Sequence, residues 1–552
     1  MSDDEFVQVG NAFLDDHLRR HPDAATELGD HRFDAQLTDL SGPALADERR
    51  SLDDFAVRLN ALDVAGLSAE HRVDAAILRN TIERRIFELD ELRDHTWDPL
   101  EANPGRAVYL VLAREFAPLP DRLESVAGRL AQVPDALATA RAQLGAMPKV
   151  HLETAVGQFA GTIGLVQSEI DTALAAAPQC ADVIGKVRPA ALAALAEHRD
   201  WLSAQLAGTE QSGNGEFADP RIGADRFARK LSLTLNAAAD ADAILARANA
   251  DLDRISAEIA ELAAAMGGSV REVLDRLAAD APDDASILGF CRDALAAQTA
   301  FVRDHDLVTV YDDPVEVIEM PEIDRGVAVA YCDPPGPLET GVREKGALAT
   351  FLAVSPAPAD WTAERIASFY REYNKHLVHN LMVHEAMPGH YLQLMHSARF
   401  AGSGTPVRAA FWSGSFVEGW AVYAEQVMAA HGYPGTGDPR TVRMQQLKMQ
   451  LRMILNAILD AGVHAHGMTE AEAMALMLDR AFQEEGEAAG KWRRALLTSS
   501  QLSTYYVGYT EVADLAGDLG AAQPALSERH LHDTMLAHGS PPARLLRTLL
   551  LP

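Results

Sequence analysis

Two histidines and a glutamate lie close together in the stretch LVHNLMVHEAMPGHYLQ, Leu377 to Gln393, as His384, Glu385 and His390. Neutral imidazoles are good ligands for divalent transition metals, and a carboxylate beside them can move a proton. In the familiar H-E-x-x-H zinc helix the histidines are four apart and both reach one ion, but position 388 here is Pro, so that motif is absent. On an unbroken helix His384 and His390 would stand about 9 Å apart along the axis and roughly 120° apart around it, unsuitable for chelation. A metal reading therefore requires the helix to deform. Pro388 lacks the N–H that would bond the His384 carbonyl, and Gly389 tolerates backbone angles closed to other residues, so together they could bulge the chain and return His390 to the same face. The competing reading is a helix that simply ends at Pro388-Gly389, with two surface histidines.

A third candidate ligand shifts the balance. SGSFVEGWAVYAEQ places Glu418 and Glu425 in an otherwise apolar, aromatic helix, where an unpaired carboxylate is costly to bury. Glu418 follows His390 by 28 residues and is assigned as the third ligand. Glu425, seven residues on and on roughly the same face, is assigned to orient a ligand histidine; exchange of these two roles is the principal alternative. Two imidazoles and one carboxylate leave a coordination position for water, as in catalytic zinc sites, and Mn²⁺ or Co²⁺ could use the same ligands.

The elements that must position these residues are mostly helices. From Phe6 to about Phe301 amphipathic patterns rich in Ala, Leu, Arg and Glu succeed one another, broken at places such as Ser41-Gly42-Pro43 and Gly213-Asn214-Gly215. Ala224 to Met266 is the clearest helical tract. Between Leu307 and Val354 short β-branched stretches, VEVIEM, VAVAYC and LATFLAV, predict a small sheet, with LATFLAV expected to form the cleft edge and hold an extended peptide by main-chain hydrogen bonds. Helical patterning resumes at Thr362, interrupted at Pro388-Gly389, Gly402 to Pro406 and Tyr433 to Pro439. The expected division is a helical half over 1–305 and a half carrying the sheet and metal site over 306–552, joined as one integrated unit.

Composition sets the outer bounds. The 552 residues include 80 Asp+Glu against 49 Lys+Arg, a formal charge of −31, which repels nucleic acid and anionic membranes. Three cysteines, Cys180, Cys291 and Cys332, make no disulfide framework and are expected to be buried thiols. The opening MSDDEFVQVGNAFLDDHL lacks a signal-peptide pattern, and no run of about 18 apolar residues occurs, so the expected location is cytoplasmic. A monomer and a homodimer are equally compatible with the sequence.

Several of these segments together resemble the bacterial family known as domain of unknown function 885, regarded as zincin-like metallopeptidases: PDAATELGDHRFD, REYN, HEAMPGHYLQ, FVEGWAVYAE, LDAGVH and LHDTMLAHGSPP. The resemblance spans nearly the whole chain, and HEAMPGH followed by EGWAVYAE is its most specific part. It implies a mainly α, two-lobed fold with a deep cleft and a small sheet, similar to angiotensin-converting enzyme, thimet oligopeptidase and Taq-type carboxypeptidases. It also implies His384, His390 and Glu418 as ligands and Glu385 as general base. The family's P-G-Q-A-x-x-Y-x-x-G segment reads SSQLSTYYVG here, so Tyr505 takes the tyrosine position, with Tyr506 and Tyr509 as alternatives; its phenol could stabilise an oxyanion. Asp460 and His464 of DAGVH, four apart, could pair on one helix face, with His464 an alternative oxyanion donor. Arg452 and Arg494 also match family positions and could each bind a substrate carboxylate or form a structural salt bridge. His532 and Asp533 match too and are assigned to capping or packing.

The expected activity is zinc-dependent hydrolysis of short peptides, first as a carboxypeptidase or dipeptidyl carboxypeptidase, then as an oligopeptidase or an enzyme of nonpeptide amides. The alternative of another class is a noncatalytic helical scaffold or peptide-binding protein stabilised by a metal.

Overall fold

Residues of high helix propensity dominate the chain, and its regular structure is accordingly mainly α with one small three-stranded sheet. The structure is a computed structural model, and it describes residues 3–212, 217–237, 239–320, 329–339, 348–358, 361–400 and 402–551. The Gly213-Asn214-Gly215 break lies outside these residues. No helix among them is long and apolar enough to cross a membrane. The chain divides into two compact units, one of residues 1–220, 335–348 and 405–410, the other of 221–334, 349–404 and 411–552.

The first unit is built from helices that include Asp3–Arg20, Gly42–Asn60, Ala69–Phe87, Leu119–Gln143 and Lys149–Gly164. The Ser41-Gly42-Pro43 break is a helix start: the Ser41 side chain accepts a hydrogen bond from the Ala44 N–H. Two distant segments are tied in by charge. Arg408, 1% exposed, donates to Asp74 at 2.7 Å and pairs with Glu70 at 2.7 Å. His31 bridges Asp34 at 2.9 Å and Glu339 at 3.1 Å.

The second unit begins at Arg221 rather than at 306, and the reason is burial. Helix Ala241–Ala265 turns Ala248, Leu252, Ile255 and Ile259 into the same core as Leu447, Leu451 and Ile458 of the long helix Pro439–His466. This four-and-three spacing is the apolar stripe of a helix that must bury one face. The Ala224–Met266 tract is two helices, Ala224–Thr234 and Ala241–Ala265; Asn236 turns the chain with φ 50°, and Asp240 caps the second helix through Asp242 and Ala243.

Strands β1 (Val315–Glu319), β2 (Ala330–Asp333) and β3 (Thr350–Val354) form a sheet of order β1-β3-β2. β3 runs parallel to β1, with Val317 opposite Leu352, and antiparallel to β2, with Cys332 opposite Leu352. The expectation that LATFLAV holds an extended peptide by its main chain is therefore corrected. β3 is paired on both sides and buries Leu352, Ala353 and Val354, as a central strand of consecutive apolar residues does. Helices Lys375–Glu385, His390–Ser397, Gly414–Ala430, Glu485–Leu497 and Ser503–Ala522 complete the part of the unit that holds the chemistry.

Candidate metal centre

The helix carrying His384 starts at Asn374, whose side chain caps Leu377, and stops at Glu385, immediately before the Met387–Pro388 cis peptide. The next helix starts at His390. Between them the Gly389 N–H reaches back to the Val383 carbonyl at 2.9 Å, and the Leu392 N–H to that of Ala386 at 3.2 Å. These bonds span six residues instead of four, which is the bulge that the Pro-Gly step predicts. Only glycine fits its apex, because a Cβ on Gly389 would lie 1.9 Å from the His384 carbonyl oxygen. Trp420 holds the turn from outside through a bond from Nε1 to the Pro388 carbonyl at 2.9 Å. As a result the His384 and His390 rings stand edge to face, 4.7 Å between centroids.

Glu418 meets both rings. Its Oε2 lies 3.4 Å from His384 Nε2 and 3.6 Å from His390 Nε2, and the three donor atoms lie within 4.8 Å of one another. Bonds of about 2.0–2.1 Å at tetrahedral angles put ligand atoms about 3.3–3.4 Å apart, so the residues fit a tetrahedral divalent ion. Glu418 Oε2 is enclosed and, beyond these two imidazoles, has no hydrogen-bond partner among the described residues, a setting that a cation would suit. Among the described residues this is the one such group of three.

Glu425 is engaged elsewhere. One oxygen accepts from His384 Nδ1 at 2.7 Å and the other from Asn380 Nδ2 at 2.7 Å, with the side chain 2% exposed. With the proton on Nδ1, His384 Nε2 is left facing Glu418. The geometry thus places Glu418 beside both Nε2 atoms and Glu425 on Nδ1 of His384. His390 Nδ1, by contrast, is buried without a partner among the described residues.

The electrostatics follow from burial and pairing. Burial works against charge on His384, but Glu418 and Glu425 outweigh it and raise its pKa well above the ordinary value, so a metal ion would displace a proton there. Burial likewise opposes the Glu418 charge, yet His384 and His390 pull its pKa far down. Glu385, 9% exposed, has its pKa raised by burial, against the lowering influence of His390 and His384 and of a hydrogen bond from the Cys332 main chain on β2. Cys332 is half-buried, unlike the buried Cys180 and Cys291.

Helix Ser503–Ala522 crosses the Glu418 helix with backbones in contact. A Cβ on Gly508 would lie 1.9 Å from the Ser415 carbonyl oxygen, and one on Gly419 would lie 2.2 Å from the Gly508 carbonyl carbon. This brings Tyr505 into the field of Glu418, which, after burial, raises the phenol's pKa; Arg494 donates to the phenol oxygen at 3.1 Å. Of the alternatives, Tyr506 is bonded to Asp251 at 2.7 Å and Tyr509 to Gln426.

The remaining expected site residues separate. Asp460 does not pair with His464 by hydrogen bond: it accepts from the Ser500 N–H at 2.9 Å, the Ser503 N–H at 2.9 Å and the Ser503 hydroxyl at 2.7 Å. It thereby fixes the start of the Tyr505 helix, including Ser500 in the left-handed region at φ 63°, where the family pattern has glycine. His464 places Nε2 on the carbonyls of Ala495 and Thr498 at 2.9 and 2.8 Å, and burial keeps its pKa below the ordinary range. We assign both to the loop, not to an oxyanion. Arg452 is held by Glu487, with Tyr373 Oη at 3.4 Å and Glu372 at 3.9 Å, and so forms the structural ion pair rather than the free receptor. His532 binds the Leu307 carbonyl at 2.7 Å and Asp533 the Thr309 N–H at 2.9 Å, consistent with packing. Sequence reasoning missed Asn380, Trp420 and the Gly419/Gly508 contact; Asn380, four residues before His384, shares its helix face and was the most accessible of these.

Residues 22–550 match the family model described as bacterial protein of unknown function, DUF885. The chain belongs to the DUF885 family. Among solved structures, this DUF885 protein is similar to a candidate lipoprotein of unknown function from Shewanella oneidensis, with 29% identity and a TM-score of 0.82 over 99% of this chain and 100% of that one. A candidate lipoprotein from Colwellia psychrerythraea shares the fold at 16% identity and a TM-score of 0.79, covering 99% of this chain and 97% of the other. No curated protein matches the sequence.

Proposed function

We propose that this DUF885 protein is a zinc-dependent hydrolase of peptide bonds in short peptides. The observation that carries the reading is the convergence of His384 Nε2, His390 Nε2 and Glu418 Oε2 on one point, with the buried carboxyl of Glu385 beside them. Three protein ligands leave a coordination position open, which suits a catalytic site better than a structural one. A bound Zn²⁺, or Mn²⁺ or Co²⁺ on the same ligands, supplies Lewis acidity for the scissile carbonyl and lowers the pKa of a bound water.

Glu385 takes the proton of the attacking water and delivers it to the leaving amine; burial raises its pKa above the ordinary carboxylate value, which makes it a stronger proton acceptor. Tyr505, oriented by Arg494, donates a hydrogen bond to the carbonyl oxygen as negative charge develops. With β3 central, we assign β2 to hold an extended peptide, because its Cys332 main chain already meets Glu385.

A carboxypeptidase or dipeptidyl carboxypeptidase is the first reading, an oligopeptidase or nonpeptide amide hydrolase the second; product analysis on peptides blocked at either end separates them. The net charge of −31 supports peptides over nucleic acid or membrane as partners. The cytoplasmic placement competes with the lipoprotein description of both structural neighbours. Fractionation of the native host separates them, the soluble fraction for the first and the membrane fraction for the second.

The test is Glu385→Gln. It should keep about one zinc per chain and lower peptide hydrolysis by about 10²–10⁴-fold, the usual contribution of a general base. Normal turnover in this variant refutes the mechanism. Bound metal in the parent chain without hydrolysis of any peptide would favour the scaffold reading.

A further inference from the structure

Lys491 lies on helix Glu485–Leu497, 6% exposed, with no hydrogen-bond or ion-pair partner among the described residues. An unpaired ammonium in that setting is expensive. The nearby carboxylates are largely engaged, with Glu372 Oε1 the one oxygen buried without a hydrogen-bond partner among the described residues. Glu372 accepts from Lys448 at 2.9 Å and from the Glu484 N–H at 3.0 Å, and Glu487 holds Arg452 while accepting from Tyr373 at 3.0 Å. Arg494, one turn after Lys491 on the same helix, bonds Gln501 at 2.9 Å and Tyr505 at 3.1 Å but has no carboxylate bonded to it among the described residues. Among the described residues Lys448, Arg452 and Lys491 therefore stand against two carboxylates, Glu372 and Glu487, in a chain whose overall charge is −31. Burial, then Arg452 and Arg494, push the Lys491 pKa well below its ordinary value, which is the mark of a cation lacking its counter-charge. Arg494 in turn lies within the field of Glu418, so the uncompensated charge borders the metal centre.

We propose that Lys491 and Arg494 form the receptor for a carboxylate of the substrate, next to the metal centre. At positions i and i+3 the two side chains share one helix face. An anion seated between them would complete the charge balance that Glu372 and Glu487 leave unfinished. Arg494 then links the receptor to the Tyr505 phenol, so an occupied receptor orients the group assigned to the scissile carbonyl. The inference rests on the hydrolase reading for its substrate class, short peptides. It also revises the expectation for Arg452, whose guanidinium is committed to Glu487.

The experiment uses zinc-loaded full-length Glu385→Gln protein, so that ligands are not consumed. It is incubated with equimolar pools of sequence-randomised N-acetylated tripeptides, and the retained peptides are quantified by mass spectrometry. One pool carries free C-terminal acids, the second C-terminal amides, and the third amides with one acidic side chain. The receptor predicts at least tenfold enrichment of a carboxylate-bearing pool over plain amides; enrichment of the first pool assigns the C-terminus, and of the third an acidic side chain. Lys491→Met in the same background should lose the enrichment while retaining zinc and melting no lower, because an apolar chain replaces an unpaired buried amine; Lys491→Arg should keep it. Equal retention of acids and amides, no retention of any pool, or an unchanged preference in Lys491→Met overturns the receptor. An acid preference in a protein whose parent form hydrolyses nothing would overturn the hydrolase reading alone. Hydrolysis without any acid preference would overturn the receptor alone.

Discussion

Replacing Glu425 by Gln removes one charge from a side chain that is 2% exposed and bonded to both His384 and Asn380 at 2.7 Å. The hydrogen bonds need not be lost. A Gln oxygen can accept from His384 Nδ1, and Asn380, whose Oδ1 is buried without a partner, can rotate its amide to accept from the new Gln amide. The variant should therefore fold, and what changes is the basicity of His384. Loss of a carboxylate behind a ligand histidine costs about 10–100-fold in metal affinity, about 1.4–2.7 kcal/mol. Glu418→Gln removes a direct ligand. Sharing about 10–16 kcal/mol of zinc binding among four ligands gives about 3–4 kcal/mol each, on the order of 10²–10³-fold. A second effect opposes the first in Glu425→Gln: the carboxylates raise the His384 pKa, and without Glu425 less proton must be displaced by the ion. That relief operates only while His384 is protonated, so the affinity deficit of Glu425→Gln should widen as pH rises from 6.5 to 8.5. Competition against a zinc chelator, titrated across that range, measures both. A larger loss in Glu425→Gln than in Glu418→Gln, or a deficit that narrows with pH, refutes the assignment of the two glutamates.

Two further outcomes test one element that carries the site and one ion pair of the first unit. Gly508→Ala forces a methyl group to within 1.9 Å of the Ser415 carbonyl oxygen, so the Glu418 and Tyr505 helices must separate. Stability should fall by about 1–3 kcal/mol or more, with weaker zinc binding, and an unchanged melting temperature would contradict the close crossing. In the first unit, burial opposes charge on His31, but Asp34 and Glu339 outweigh it and raise its pKa to about 9. A raised pKa means stability that is complete below the unfolded value near 6.5 and lost as pH rises through about 9. After allowance for solvent screening this amounts to about 1–2 kcal/mol, so His31→Gln should lower urea stability at pH 6 and match the parent at pH 10; a deficit independent of pH would contradict it.

Much of the geometry that brings His384, His390 and Glu418 together was legible because its determinants are local. Pro388 and Gly389 act on the backbone between the two histidines they bring together, and Glu418 and Glu425 stand out as carboxylates in an apolar helix. The helical class followed from periodicity. What lies across an interface was not legible. The composition of LATFLAV indicates a buried strand but not how many partners it has, and pairing on both sides makes it central. The i, i+4 spacing of Asp460 and His464 puts them on one face without disclosing that the Ser499–Ser503 turn and the Ala495 and Thr498 carbonyls await them there. Gly419 and Gly508 read as ordinary helix glycines until two backbones meet at them. Helices over 224–278 joined the second unit because their apolar stripes share a core with the Pro439–His466 helix, a complementarity that no single segment displays.

The most direct measurement is the metal content of the purified protein by elemental mass spectrometry, alongside folded His384→Ala and Glu418→Ala variants. About one zinc per chain, lost in both variants, is the predicted result. A parent chain that binds no zinc, manganese or cobalt after reconstitution, or variants that retain the metal in full, would contradict the metal centre on which the proposed hydrolysis depends.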